Sequence, residues 1–265
     1  IILRKKKIDV IFTTGGYISA PSILGAKLTG VPILLHESNA IPGKVSRLLG
    51  RFCDHVALGI PSTSDYLPGC KTSFTGTPVR SEFFLEHPLP SWVPSGEGVL
   101  IVVMGGSQGA KKMNEMVRNV LPFLLEKDCR VVHLTGKNDS FYRNIGRTEA
   151  HPNLVIRHFS DEMPALLQNA DLVISRSGAG AICELMLTKT PSVLIPFPAS
   201  ADQHQELNAA YMARYGGAVI VNQHDPEKDI LKNTISNLID SNFLGEMKSN
   251  MTNYDYLASE NKIFE

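Results

Sequence analysis

The sequence lacks the features that mark several common classes of protein. Its 265 residues contain no secretory signal peptide and no apolar run of the ~18–20 residues that a membrane-spanning helix needs. The four cysteines form no C-x-x-C pair and have no histidine at metal-binding spacing, so we expect reduced structural thiols. The formal net charge is zero, which argues against a nucleic-acid partner.

Several nucleotide-binding and metal motifs are absent as well. No G-x-x-x-x-G-K-[ST] P-loop occurs, and "GGSQGA" at 105–110 does not have the glycine spacing of a dinucleotide fingerprint. The strand that follows it ends in Gly136 and Lys137 rather than in an acid. There is also no D-x-D sequence, so we predict neither a metal site nor a cofactor.

Charge is distributed unevenly along the chain. Residues 1–60 carry eight Lys or Arg against three acids, which leaves this part at +5 and the remainder at −5. The basic start "ILRKKK" at 2–7 fits attachment to an anionic membrane surface, and it fits a solvated helix end equally well. Because the chain opens on Ile1 and a strand follows almost at once, we expect an N-terminal truncation.

Short apolar runs alternate with helical patterns along most of the chain. Strands are predicted at 9–14, 31–36, 54–59, 72–76, 99–104, 130–135, 154–159, 171–176 and 192–197. Helices are predicted at 20–29, 42–52, 109–126, 161–169, 178–189 and 203–215. Apolar strands without alternation suit burial on both faces, so we expect mostly parallel, doubly wound sheets.

A segment rich in proline and glycine separates the two series of elements. Residues 82–98 contain three prolines and two glycines and favour neither helix nor strand. The pattern predicts a partial N-terminal domain at 1–81, a linker at 82–98 and a C-terminal domain at 99–265. Both domains would be Rossmann-like, and the first would lack its opening βα units.

Three glycine-rich turns follow predicted strands, at 13–21, 104–110 and 175–181. Ligands of open α/β sheets bind beyond the carboxyl ends of strands, where a helix start offers free N–H groups to an anion. A tight turn without a ligand explains any single loop, but it explains three equivalent loops less well. The pattern therefore favours a phosphate or a diphosphate.

The third loop, "SRSGAGA", is followed by a carboxylate. If Ser177 caps the helix, then Gly180, Ala181 and Glu184 lie on its face, and small residues leave that face open. Glu184 could then accept hydrogen bonds from the two adjacent hydroxyls of a ribose. A solvent-facing glutamate on an exposed helix is the other interpretation.

Polar residues also follow two other strands. In "ADQHQELNAA" at 201–210, Gln205 and Asn208 begin a helix and suit sugar hydroxyls, although capping by Asp202 explains part of this pattern. In "LLHESNAIPG" at 34–43, His36 and Glu37 end a strand and point toward the predicted cleft. A helix cap at Asn39 and a semi-buried, satisfied His36 are equally compatible with that sequence.

Taken in order, six segments resemble the MurG family of N-acetylglucosaminyltransferases of bacterial peptidoglycan synthesis. They are "GGYISAP", "HESNAIPGKVSRLL", "GTPVR", "GGSQGA", "DEMPALLQNADLVISRSGAGAICEL" and "PFPASADQHQELNA". The resemblance implies a GT-B fold, with two domains that face a cleft. It also implies transfer of N-acetylglucosamine from UDP-N-acetylglucosamine to undecaprenyl-pyrophosphoryl-muramyl-pentapeptide at the cytoplasmic face of the cell membrane, to which the enzyme would attach peripherally.

The same resemblance carries over the donor contacts of the family. They fall on Asn39, Arg80, Ser107, Ser160, Ala179, Gly180, Ala181, Glu184, Gln205 and Asn208. Glu184 would hold the uridine ribose, Ser160 would read uracil through its backbone, and Gln205 and Asn208 would face the sugar. The family's first loop, G-G-T-G-G-H, is absent, Thr77 replaces the usual Asn, and Ala181 replaces a Thr that usually touches phosphate.

We hypothesise inverting transfer. Because no D-x-D motif occurs, the helix N-termini at 107–110 and 177–181, together with Arg80, would stabilise the leaving diphosphate. Tyr17, His36 and Glu37 are the candidates for the general base. Two alternatives stay open, namely a non-catalytic UDP-sugar-binding module and another GT-B transferase that acts on a different lipid acceptor.

Overall fold

The computed structural model of the protein describes residues 6–106, 109–139, 151–241, 243–253 and 263. Within these ranges the chain forms two parallel sheets with helices packed around them. Ser107, a predicted donor contact, and most of the basic start lie outside the described residues.

The first sheet has four parallel strands in the order β1-β2-β3-β4. They are β1 (Ile11–Thr13), β2 (Ile33–Glu37), β3 (His55–Leu58) and β4 (Thr72–Phe74). The connections contain α1 (Ser19–Thr29), α2 (Lys44–Leu49) and two short 3-10 helices (Gly50–Phe52, Pro61–Tyr66).

The second sheet has six parallel strands in the order β10-β9-β8-β5-β6-β7. They are β5 (Leu100–Met104), β6 (Arg130–Leu134), β7 (Leu154–Arg157), β8 (Leu172–Ser175), β9 (Ser192–Leu194) and β10 (Ala218–Ile220). The helices of this half are α3 (Lys111–Glu126), α4 (Met163–Asn169), α5 (Ala179–Thr188), α6 (His204–Arg214), α7 (Ile230–Asp240) and α8 (Phe243–Asn250), with further 3-10 turns at Ala201–Gln203 and Met251–Asn253.

The central strand β5 shows why its sequence has no polar alternation. Leu100, Val102 and Met104 pack into a core on one face, whereas Ile101 and Val103 pack into a second core on the other. Because side chains alternate between the faces of a strand, a strand covered by helices on both sides must be apolar throughout. The prediction of a doubly wound parallel sheet is therefore confirmed.

The structure adds elements that were not predicted from the sequence. Strand β10 is only three residues long, and α7 and α8 follow it. Helix α7 buries Leu231, Ile235 and Leu238, whose spacing of four and three residues is a helical signal. The predicted strands and helices are confirmed, and each of the nine predicted strands is shorter than predicted.

The segment 82–98 begins within a short 3-10 helix (Ser81–Phe84) and is irregular beyond it, as its prolines and glycines predict. It is hydrogen-bonded to helix α4. The Gln168 amide donates hydrogen bonds to the carbonyl oxygens of Phe83 and Leu85, at 3.2 and 2.7 Å, and its oxygen accepts from the His87 N–H. Asn169 donates to the His87 carbonyl oxygen. The segment therefore packs against the second sheet's layer of helices.

Candidate functional site

A cavity of about 750 Å³ opens beyond the carboxyl ends of the second sheet. Met104, Leu134 and Ser175, which end β5, β6 and β8, all line it. The chain runs from β5 to β6 and β7 on one side and returns to β8 on the other, so the cavity lies at the point where the strand order reverses. Ligands of open α/β sheets bind at such switch points.

Two helix N-termini face this cavity. Ala110 and Lys111 line it at the start of α3, and Gly178 and Ala181 line it at the start of α5. Neither N-cap residue forms a side-chain capping bond, and neither helix has an acid in its first turn. The first-turn N–H groups and the positive ends of two helix dipoles thus suit an anionic ligand.

The prediction that Ser177 caps helix α5 was wrong. The helix begins one residue later than expected, with Gly178 as its N-cap. The Ser177 hydroxyl instead donates to the Gln205 carbonyl oxygen at 2.7 Å, because Ser177 is fully buried between α5 and α6. Glycine at the N-cap leaves the open face without a competing side chain.

Two glycines of the loop before α3 differ in how much space surrounds them. A Cβ at Gly109 would lie 2.5 Å from the Thr135 carbonyl oxygen, whereas a Cβ at Gly106 would meet nothing within 4 Å. Both residues have φ of +82°. Gly109 is therefore required for packing, and Gly106 is free to approach a ligand.

A pair of alanine substitutions tests this distinction. We expect Gly109→Ala to lower the free energy of unfolding by ~3 kcal/mol, since it adds a steric clash to the left-handed strain. Gly106→Ala should cost ~1 kcal/mol, from strain alone. Thermal denaturation of both variants measures the difference, and equal losses would contradict it.

Glu184 lies on α5 and lines the cavity. Burial raises the pKa of its carboxyl group, and the positive charge of Arg80 partly offsets this effect. Arg80 itself is exposed and lies over the Phe83 ring at 5.3 Å. The charge of Arg80, from the first half, thus acts on the carboxylate of Glu184, although Arg80 is not among the residues that line the cavity.

Asn208 is fully buried and joins the two halves of the chain. Its side-chain oxygen accepts from the Ala40 N–H at 2.9 Å. Its amide donates to the Asn39 side-chain oxygen at 3.2 Å and to the Ser177 carbonyl oxygen at 3.1 Å. The candidate contacts Asn39 and Asn208 are thus brought together beside the start of α5.

The other donor candidates lie at or near the cavity wall. Gln205 lines the cavity, and its side-chain oxygen accepts from the Phe197 N–H at 2.9 Å. Ser160 is buried, its hydroxyl accepts from the Glu162 N–H at 3.1 Å, and it directly follows His158 and Phe159, which line the cavity. Ala179 and Gly180 form the first turn of α5, where Gly180 is exposed.

Two of the three general-base candidates are already engaged in hydrogen bonds. His36 is buried, and its Nε2–H donates to the Gly76 carbonyl oxygen at 2.9 Å. Burial lowers the pKa of His36 below its usual value, more than the hydrogen bond to Gly76 and the charge of Glu37 raise it. The Ser38 hydroxyl lies 3.3 Å from Nδ1.

Glu37 is also buried, and four donors surround its carboxylate. Oε1 accepts from the N–H and the side-chain amide of Asn39, at 3.2 and 3.3 Å. Oε2 accepts from the Gly43 N–H at 3.0 Å and from the Ser46 hydroxyl at 2.7 Å. Tyr17, in contrast, is 78% exposed in the turn that follows β1.

Sequence reasoning missed Arg176, which lines the cavity at the end of β8. Its guanidinium donates to the carbonyl oxygens of Ile195 and Pro196, at 2.8 and 2.9 Å, and to the Gln223 side-chain oxygen. Burial lowers the pKa of Arg176 to about 10. A charged residue at the end of a buried strand, within the glycine-rich turn at 175–181, was the available signal.

Comparisons with known proteins identify the family of the chain. The model of the glycosyltransferase family 28 C-terminal domain matches residues 100–261, and that of the N-terminal domain of the same family matches residues 1–58. A UDP-N-acetylglucosamine--N-acetylmuramyl-(pentapeptide) pyrophosphoryl-undecaprenol N-acetylglucosamine transferase of Prochlorococcus marinus (strain NATL2A) is 79% identical over 265 residues. That alignment covers 100% of this chain and 75% of the relative.

The chain belongs to glycosyltransferase family 28, in the MurG family. A similarly named transferase of Synechococcus sp. (strain CC9902) is 60% identical over 90% of this chain and 65% of its own length. Among solved structures, Acinetobacter baumannii MurG superposes with a TM-score of 0.78 at 27% identity, over 99% of this chain and 74% of that one. The predicted GT-B fold of this family 28 chain is confirmed.

Proposed function

We propose that the chain transfers N-acetylglucosamine from UDP-N-acetylglucosamine to the 4-hydroxyl of undecaprenyl-pyrophosphoryl-muramyl-pentapeptide, the step from lipid I to lipid II. The observation that carries the proposal is the cavity at the switch point of the second sheet, which two uncapped helix starts and the carboxylate of Glu184 line. The names of the relatives, which specify this activity and both substrates, support the proposal.

The cavity suits each part of the donor. The diphosphate would accept hydrogen bonds from the first-turn N–H groups of α3 and α5, and the Glu184 carboxylate would accept from the two ribose hydroxyls. Gln205, which lines the cavity, would face the sugar. Asn208 is fully buried and bonded to Asn39, Ala40 and Ser177, so it would act by holding the two halves together beside the sugar. With Ala181 in place of a hydroxyl side chain, backbone groups must supply the donors at that position.

The proposed reaction inverts the anomeric carbon and uses no metal ion. The acceptor oxygen forms a bond to that carbon while the bond to UDP breaks, and the hydroxyl proton passes to a base. Positive charge on the sugar builds up in the transition state, and negative charge builds up on the departing diphosphate. The two helix N-termini and Arg80 would stabilise the latter charge.

The hydrogen bonds and the exposure of the three general-base candidates support different roles. Four donors already occupy the Glu37 carboxylate, which favours a positioning role over proton transfer. His36 uses one ring nitrogen on Gly76, so only its Nδ1, beside Ser38, is left to accept a proton. Tyr17 is the exposed member of the set.

Calorimetry followed by a transfer assay tests the proposed function. We expect binding of UDP and UDP-N-acetylglucosamine, and transfer of labelled sugar to lipid-linked acceptor that persists in EDTA. Binding without transfer would favour the non-catalytic module, and transfer only to another lipid would favour a different GT-B enzyme. Loss of transfer in EDTA that Mg²⁺ restores would contradict metal independence.

The division of the chain into a partial N-terminal domain at 1–81, a linker at 82–98 and a C-terminal domain at 99–265 stays a prediction.

Peripheral attachment to an anionic membrane is also part of the proposal. Of the helices that the structure describes, none combines the length and hydropathy required to cross a bilayer. Ile18 and Leu28 at the two ends of α1 are 86% and 84% exposed, Leu24 is 47% exposed, and Lys27 lies beside them. Exposed apolar side chains next to a cation suit a membrane interface.

Sedimentation with liposomes tests the membrane surface. We expect the double variant Leu24→Glu/Leu28→Glu to bind vesicles that contain anionic lipid at least tenfold more weakly, because each buried leucine contributes ~2 kcal/mol. Leu85→Glu is the matched control, since Leu85 is 61% exposed in the segment 82–98. If the wild type and the double variant bind these vesicles equally well, the proposal of membrane attachment is contradicted.

A further inference from the structure

The loop before α6 contains two consecutive residues in a strained conformation. Asp202 and Gln203 have φ of +52° and +56°, which few residues other than glycine adopt. The Gln203 N–H donates to the Ser200 carbonyl oxygen at 3.0 Å, and the Ser200 N–H donates to the Phe197 carbonyl oxygen. Helix α6 begins directly after this tight turn, and Gln205 is among its first residues.

The strained turn places Asp202 against the first half of the chain. The Asp202 carboxylate accepts a hydrogen bond from the guanidinium of Arg47, on helix α2. A second polar connection lies one helical turn further along α6, where Asn208 contacts Asn39 and Ala40. The start of α6 is thus held to the first half at two points, and Gln205 lies between them.

We propose that Arg47 is a positioning residue for the sugar end of the donor, and that it acts through Asp202 on the turn 199–205. This inference rests on the proposed function, in which Gln205 faces the sugar. The ion pair stabilises the strained turn, which sets the direction in which α6 presents the Gln205 amide to the cavity. UDP lacks the sugar and would not contact this amide, so the effect concerns the sugar and not the nucleotide.

The ion pair is exposed enough to be removed without unfolding the protein. Its side chains retain 35% and 44% exposure, and pairs of this kind contribute little to global stability. Partial exposure also means that salt screens the pair. A positioning role therefore predicts a change in ligand preference at nearly constant melting temperature.

Calorimetry on the whole chain, with UDP and UDP-N-acetylglucosamine as ligands, tests the proposal. We expect Arg47→Ala and Asp202→Asn each to weaken UDP-N-acetylglucosamine binding about fivefold, which converts to ~1 kcal/mol. UDP binding should stay within a factor of two. Asparagine at 202 tolerates a positive φ, so this variant removes the charge and keeps the turn. Arg47→Lys should restore most of the preference.

Two further measurements separate positioning from other roles. The double variant should lose no more than either single variant, and salt should reduce the preference for the sugar nucleotide in wild type only. Lys44→Ala is the control, because Lys44 is exposed on the same helix. An equal loss for both ligands, or no loss, overturns the role of Arg47. Wild type that binds neither ligand would instead overturn the proposed function.

Discussion

Replacement of Glu184 by alanine is expected to weaken binding of UDP-N-acetylglucosamine by at least about a hundredfold. Hydrogen bonds to a charged acceptor contribute ~1.5–3 kcal/mol each, and two ribose hydroxyls would donate to this carboxylate. UDP should lose as much as the sugar nucleotide, because the ribose is common to both. Calorimetry measures both affinities, and the exposed Glu206 on α6 gives the matched control Glu206→Ala.

The pH dependence of the Glu184 variant gives an independent test. Burial raises the pKa of this carboxyl group, so it takes up a proton at a higher pH than an ordinary glutamate does. As pH is lowered, the affinity of the wild type for the nucleotide should therefore begin to fall at that higher pH. The stability that an acid with a raised folded-state pKa contributes is fully present below its ordinary pKa, and it is lost as pH rises through the raised value. Glu184→Gln should therefore melt at a higher temperature than wild type at pH 7. Unchanged affinity together with unchanged melting would contradict the ribose role.

Replacement of Glu37 by alanine is expected to have the largest effect on stability. Four donors from Asn39, Gly43 and Ser46 would lose a buried charged acceptor, which costs ~4 kcal/mol. For a chain of this size the melting temperature should fall by about 8–16 °C. Differential scanning calorimetry measures the shift.

Two further variants decide between a structural and a chemical role for Glu37. Ser46→Ala removes one of the four donors and should cost ~1 kcal/mol. Glu37→Gln should lower the melting temperature and the transfer rate together, because Gln Nε2 cannot accept from the Gly43 N–H. A general base would behave differently, with a large loss of kcat at an unchanged melting temperature.

The sequence allowed the second sheet to be predicted in detail because its strands are buried on both faces. Every side chain in the run Leu100–Met104 is apolar, so both faces of this strand must be buried against a core. Burial on both faces predicts a central strand of a parallel sheet. Strand β10 carries no comparable signal, since three residues pack at the margin of the sheet. Helix α7 did carry one, in the spacing of Leu231, Ile235 and Leu238.

The candidate site could be predicted only in part. Glu184 follows from local rules, because its distance from the strand end fixes its place on the helix. Contacts between residues far apart in sequence do not follow from such rules. Asn208 meets Ala40 across 168 residues, and Arg176 is held by carbonyl oxygens of the next strand's end. Ser177 was misread because a serine before a helix is usually a cap, and here it is buried between two helices.

The hydrogen bonds between residues 83–87 and helix α4 mean that this stretch is not a free tether between the two halves. Phe83 also lies in the same apolar core as Leu100 of strand β5. Ala40 and Ile60 of the first half belong to that core as well. The two halves therefore share apolar packing in addition to their polar contacts, and any movement between them would have to disturb both.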